Sequence, residues 1–104
     1  MGYYTSYSME VINGNPDLIK QFREECDEAR YSFDDEGNSI ENSKWYEADR
    51  DLKEFSKKHP EALLLLGGEG EDSPDFWREY WKNGKVQRII AKIVYDEYDE
   101  SKLE

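Results

Sequence analysis

The chain has a single cysteine, Cys26, and a single histidine, His59. That poverty removes an internal disulfide and any zinc site built from several Cys and His ligands. It suits a reducing compartment, and the expected location is the cytoplasm. Long apolar runs are missing as well. The longest, residues 62–66, falls far short of the ~20 residues that cross a bilayer. The first seven residues lack the basic and apolar segments of a signal peptide. Cations are scarce: 14 Lys and Arg against 25 Asp and Glu leave a formal charge of -11 on 104 residues. A surface of that sign repels nucleic acid and anionic membranes and attracts basic protein surfaces.

Aromatic residues, in contrast, are plentiful, with 3 Trp, 8 Tyr and 4 Phe. The high charge leans toward disorder, but disordered chains are poor in aromatics, so a packed core under a solvated shell is expected. The length suits one domain, residues 1–104, burying somewhat over ~60% of its unfolded surface. Residues 96–104 are acidic and should fray.

Residues Tyr3, Thr5, Tyr7, Met9 and Val11 alternate with Ser6, Ser8 and Glu10, a strand with one buried face. Asn15-Pro16-Asp17 opens a helix that should run from Pro16 to about Arg30, with Leu18, Ile19, Phe22, Cys26 and Ala29 inward. Residues 31–33 and 44–46 read as a short hairpin. A second helix turns Ala48, Leu52 and Phe55 inward and stops at His59-Pro60, because proline disfavours helical geometry in the residue before it. Residues 62–66 form a central strand, ended by a bulge or tight turn at Gly67-Gly68. Residues 75–82 and 85–96 then flank Asn83-Gly84, a strong type I′ hairpin signal. The order predicts an α+β fold, an antiparallel sheet with two helices packed on one face, close to ferredoxin-like.

The blocks Lys44-Trp45-Tyr46, residues 51–60, Gly68-Glu69-Gly70-Glu71-Asp72, Trp77-Arg78 and residues 80–85, with the opening Met1-Gly2-Tyr3-Tyr4-Thr5, resemble small phage and prophage proteins. More remotely, the layout resembles the ferredoxin-like domain of YubB-type plasmid proteins. The resemblance implies a mobile-element origin, hence a host-cell cytoplasm, and a fold. It carries over no active site.

No arrangement of residues points to catalysis, a metal or a cofactor. His59 suits the negative pole of a helix end, and Cys26 a small apolar position in the core. Residues 34–38 have a calcium-loop composition. With Gly37 at the sixth position, however, Ser32 and Ser43 fall where the first and last ligands should be, so a solvated turn is expected. Gly67-Gly68-Glu69-Gly70 lacks a lysine and carries acids that repel phosphate. Trp77, Tyr80 and Trp81 beside Lys82, Lys85, Arg88 and Lys92 have the make-up of a single-strand binder. The net charge favours aromatics in the core and cations paired with acids.

What remains is the acidity, gathered in Glu24 to Glu36, Glu69 to Asp75 and Asp96 to Glu100. Fixed carboxylates can present negative charge to a basic groove as DNA phosphates do. The leading expectation is a non-enzymatic acidic protein that binds, and inhibits, a host nucleic-acid-processing or defence protein, as anti-CRISPR, anti-restriction and DNA-mimic proteins do. Contact residues would be Glu24, Asp27, Glu28, Asp34, Asp35, Glu36, Glu69, Glu71, Asp72 and Asp75, with Trp77 and Trp81 as aromatic anchors if exposed. The partner would be the basic surface of a nuclease or other nucleic-acid-binding enzyme, with no nucleic acid or membrane bound directly. The alternative is a homo-oligomeric structural or accessory protein, in the simplest case a homodimer, that self-associates through a sheet face or edge, since both faces of residues 85–96 carry apolar groups. A merely solubilising shell is the competing account of the charge.

Overall fold

Alternation at the start of the chain becomes β1 (Thr5–Asn13), which buries Thr5, Tyr7 and Met9 and leaves Ser8 and Glu10 outside. A computed structural model describes residues 3–72 and 74–104. After β1 come α1 (Leu18–Glu25), α2 (Asp27–Ser32) and α3 (Ala48–Lys58), then β2 (Leu63–Gly70), β3 (Phe76–Lys82) and β4 (Lys85–Ile90). One turn of 3-10 helix follows at Glu100–Lys102. The strands form one antiparallel sheet in chain order, β1-β2-β3-β4. The α+β class and the antiparallel sheet are as expected from the sequence. No helix among the described residues is long and apolar enough to cross a membrane.

The helix expected to span residues 16–30 is two helices. Cys26 is extended, with φ -133° and ψ 114°, and separates α1 from α2. The break is held by side chains: the Arg30 guanidinium donates to the Arg23 and Glu24 carbonyls at 3.3 and 3.5 Å, covering the end of α1. α3 ends where the proline argument places it, with His59 at the C-cap. The His59 ring packs on Phe55, centroids 4.7 Å apart.

The hairpin expected between the helices does not form. Phe33 bridges Ser39 instead, and Ser43 bridges Thr5, so residues 34–43 lie along the outer edge of β1. With that hairpin goes the pair of strands that a ferredoxin-like order places between its helices. Phe33 and Trp45 sit in the core with Phe22, which is the reason these short aromatic runs read as strands. Their burial comes from a loop.

β2 also differs from expectation, for it runs on through Gly67 and Gly68 to Gly70. Trp77 of β3 lies across Gly68 and fills the space a side chain there would need. β3 and β4 meet at Asn83-Gly84, with φ 48° and 77°, the left-handed pair a type I′ turn requires. β4 stops at Ile90 because β3 begins at Phe76, whose carbonyl takes the last ladder hydrogen bond, from Ala91 N–H at 2.9 Å. The expected strand to residue 96 therefore lacks a neighbour after Ala91.

The three α-helices pack on one face of the sheet. Met9, Leu64, Leu66, Trp77 and Trp81 meet Ile19, Phe22, Leu52 and Phe55 there in one core. Burying side chains of this size stabilises the fold by about 1.5–3 kcal/mol each before entropy is counted. The opposite face carries no α-helix among the described residues.

Candidate functional site

The first acidic stretch is only partly available to a partner. Glu24 is exposed on α1, and Asp27 and Glu28 open α2. Asp27 pairs with Arg30 at 3.2 Å, and Asp35 pairs with Arg23. Asp34 turns inward on its own loop, where one carboxylate oxygen accepts the Glu36 and Asn38 N–H groups at 2.9 and 3.0 Å. That explains a calcium-like composition in a turn that is closed by its own aspartate. Glu36 is exposed beside β1, in the same hollow as Glu10.

The second stretch sits at the β2–β3 end. Glu69 faces outward from β2, and Glu71 accepts the Tyr4 N–H at 3.1 Å. The Tyr3 hydroxyl donates to Asp75 at 2.7 Å and accepts the Asp72 N–H at 3.0 Å. The hydrogen bond to Asp75 is the main reason the Tyr3 phenol is pushed up from its ordinary pKa. Two N-terminal tyrosines thus fasten this group of acids. Along β1 the two stretches are well separated. Gly37 meets Met9, whereas Glu71 meets Tyr4, five residues away or about 17 Å at strand rise.

Trp77 and Trp81, named above as anchors if exposed, are 9% and 3% exposed and belong to the core. Alternation along β3 sends Trp77, Glu79 and Trp81 to the helix side and Phe76, Arg78, Tyr80 and Lys82 to the open side. Glu79, which the sequence did not single out, is buried at 3% exposure. It accepts from the Trp81 indole N–H at 3.2 Å and pairs with Arg88 at 2.7 Å. Arg88 also lies over the Trp77 ring, 4.3 Å from its centroid. Register makes this cluster: Glu79 opposes Arg88, and Trp77 and Trp81 are its neighbours on the same face. Tyr7, Asp49 and Thr5 close a recess of about 270 Å³ beside it. Burial, the largest effect on it, pushes the Tyr7 phenol up.

On the open face the missing side chain of Gly67 leaves a groove of about 660 Å³, bordered by Ser8, Phe76, Arg78, Ile89 and Lys92. A third place where polar groups gather is Cys26, Glu28 and Asp51 between α1, α2 and α3. Asp51 there accepts the Trp45 indole N–H at 2.9 Å and the Cys26 thiol at 3.5 Å, so it is engaged in holding the core. Burial raises the Cys26 thiol to about 11, which keeps it protonated and a poor metal ligand at neutral pH.

Across the described residues, only six of the 25 acidic side chains lie in ion pairs: Glu25, Asp27, Asp35, Glu47, Asp51 and Glu79. The cations do not neutralise the surface, and none of the acids at the β2–β3 end lies in an ion pair among the described residues. No family model, curated protein or solved structure matches this chain.

Proposed function

We propose that the protein is a non-enzymatic, mobile-element-type binding protein that docks its acidic surface on a basic surface of a host nucleic-acid-processing or defence protein and inhibits it, in the manner of anti-CRISPR, anti-restriction or DNA-mimic proteins. The carrying observation is the group Glu69, Glu71 and Asp72, which lacks cationic partners among the described residues and stands on a strand end fastened by Tyr3 and Tyr4. The Glu71 carboxylate is held by the Tyr4 N–H and Asp72 by its backbone, so these groups lose less freedom on docking and their attraction is retained as affinity and as association rate. Glu24 and Glu36 add a second, separate negative region. Asp27 and Asp35 share their charge with Arg30 and Arg23, and Asp34 closes its own turn, so these three contribute less to the contact set. The mobile-element origin rests on the sequence blocks quoted above. The ferredoxin-like arrangement is not retained, since the sheet runs in chain order.

The test is a triple variant, Glu69→Gln, Glu71→Gln, Asp72→Asn, used with the wild type as bait in host lysate at low and at high salt. Partner recovery should fall with salt for the wild type, and the variant should recover less at low salt with a flatter dependence. The recovered partner is then assayed for nuclease or DNA-binding activity with and without the protein. Equal recovery by the variant at low salt, or a partner unaffected in activity, overturns the reading.

A further inference from the structure

The sheet protects one of its edges and leaves the other bare. Along β1, Met9 N–H donates to the Gly37 carbonyl at 2.9 Å, and Thr5 and Ser43 exchange both backbone hydrogen bonds at 3.0 and 2.9 Å. The Ser39 hydroxyl adds a bond to the Tyr7 carbonyl at 2.6 Å. Nothing comparable covers β4 among the described residues: every residue of Lys85–Ile90 is exposed. Lys85 faces Lys82 across the turn, and Ala91 gives its N–H to Phe76, so the odd-numbered residues of β4 bond inward to β3. Alternation in an antiparallel ladder then turns the N–H and C=O groups of Val86, Arg88 and Ile90 out toward the free edge. An exposed edge of this kind is a template for another strand.

The residues that follow continue the pattern without a partner. After Ala91 no backbone hydrogen bond ties the chain to the sheet among the described residues. Ile93, Val94, Tyr95 and Tyr98 are 55%, 84%, 87% and 75% exposed. Val86 and Ile90, on the helix side, and Ile89, on the open side, are 49%, 59% and 44% exposed. Charge along this stretch is divided by position. Lys85, Arg88 and Lys92 come first, then Asp96, Glu97, Asp99 and Glu100. A strand with a basic first half and an acidic second half complements a reversed copy of itself.

We propose that residues 85–97 are a self-association strand whose partner is a second copy of this chain, paired antiparallel about a two-fold axis at Ala91 so that one sheet continues through both molecules. A two-fold axis normal to the sheet opposes residues of equal parity, which the free groups of the even-numbered residues satisfy. Arg88 bonds opposite Val94 of the second copy, and Ile90 opposite its Lys92. Ala91 meets its own equivalent at a close, non-hydrogen-bonded position, where a small side chain suits the axis. Ile89 opposes Ile93, Lys85 opposes Glu97, and Arg88 lies diagonal to Asp96. Moving the axis one residue to Lys92 would set two ammonium groups against each other, which disfavours that register. The inference does not depend on the acidic docking surface described above.

Sedimentation or light scattering of the purified wild-type chain should find a dimer at micromolar concentration. Ile93 and Val94 are exposed and lie outside the core cluster, so the double variant Ile93→Glu, Val94→Glu should keep the wild-type melting curve at high dilution and run as a monomer. Ala91→Cys should cross-link its equivalent under mild oxidation, while the wild type, whose only thiol is Cys26, should not. Lys85→Glu or Glu97→Lys alone should weaken the dimer about tenfold, and the two together should restore it. A chain that stays monomeric throughout overturns the proposal. So does a dimer that ignores the Ile93 and Val94 changes, fails to cross-link at Ala91, or shows no recovery in the charge swap.

Discussion

Cys26 illustrates how one residue can be read correctly in kind and incompletely in role. Its spacing from Phe22 and Ala29 marks it as an inward position, and it does pack against the core. It also breaks the helix, which its helical spacing could not reveal because the cause, the reach of Arg30 to the Arg23 carbonyl, is a side-chain contact made only after folding. Burial lifts its thiol from 9.0 to about 11. Between those values the folded chain holds the proton and the unfolded chain releases it. The associated stability is therefore present below pH 9 and lost as pH rises through about 11. At pH 8 the folded thiolate fraction is about a hundredfold smaller than the unfolded one, so iodoacetamide should label native Cys26 about a hundredfold more slowly than in urea. Equal rates would mean that the thiol is not buried as described. Glu79 is a second case. Its place two residues from both Trp77 and Trp81 marks it in the sequence as an inward position of β3, whereas its partner Arg88 is brought opposite only by register.

Elements with a strong local signal formed where they were expected. β1, α3 and the Asn83-Gly84 hairpin each follow from periodicity, a proline stop or turn chemistry, all of which act within a few residues. Residues 31–46 look like strands and form none, because aromatic runs mark burial without saying which neighbour provides it. Phe33 and Trp45 are buried against Phe22 of α1, Trp45 also against Tyr7 of β1, and the sheet edge takes their loop as a cover. The glycines of β2 depart from expectation for a related reason. Glycine weakens an isolated strand, yet Gly68 is kept in this one by the Trp77 ring that rests on it from the adjacent strand. Gly68→Ala should therefore cost about 2 kcal/mol through overpacking, read as a lower urea midpoint. Gly67→Ala, on the open face, meets only the rotatable Ser8 hydroxyl and should cost less than half as much. Similar losses at both positions would show that backbone freedom, rather than the Trp77 contact, explains the glycines.

At the scale of the whole molecule, charge dominates and acts in two opposed ways. A net charge of -11 makes the folded chain repel itself, so raising salt should raise its melting temperature. Relief of ~1 kcal/mol corresponds to about 4–8 °C for a domain of this size. Binding of a basic partner should weaken over the same salt range, so one titration series with two readouts separates self-repulsion from docking. A melting point that falls with salt would mean that the six ion pairs outweigh the repulsion. The amino-acid sequence alone determined the acidity, the α+β class, the inward faces of β1 and α3, and the hairpin turn, because each depends on composition or on residues close together in the chain. Tertiary structure decided which acids remain free and which are tied down, that the tryptophans are core, that one sheet edge is covered and the other bare, and that the strands lie in chain order. Those outcomes follow from pairings between residues far apart in sequence, and local spacing carries no record of which strand, ring or guanidinium will arrive at a given side chain.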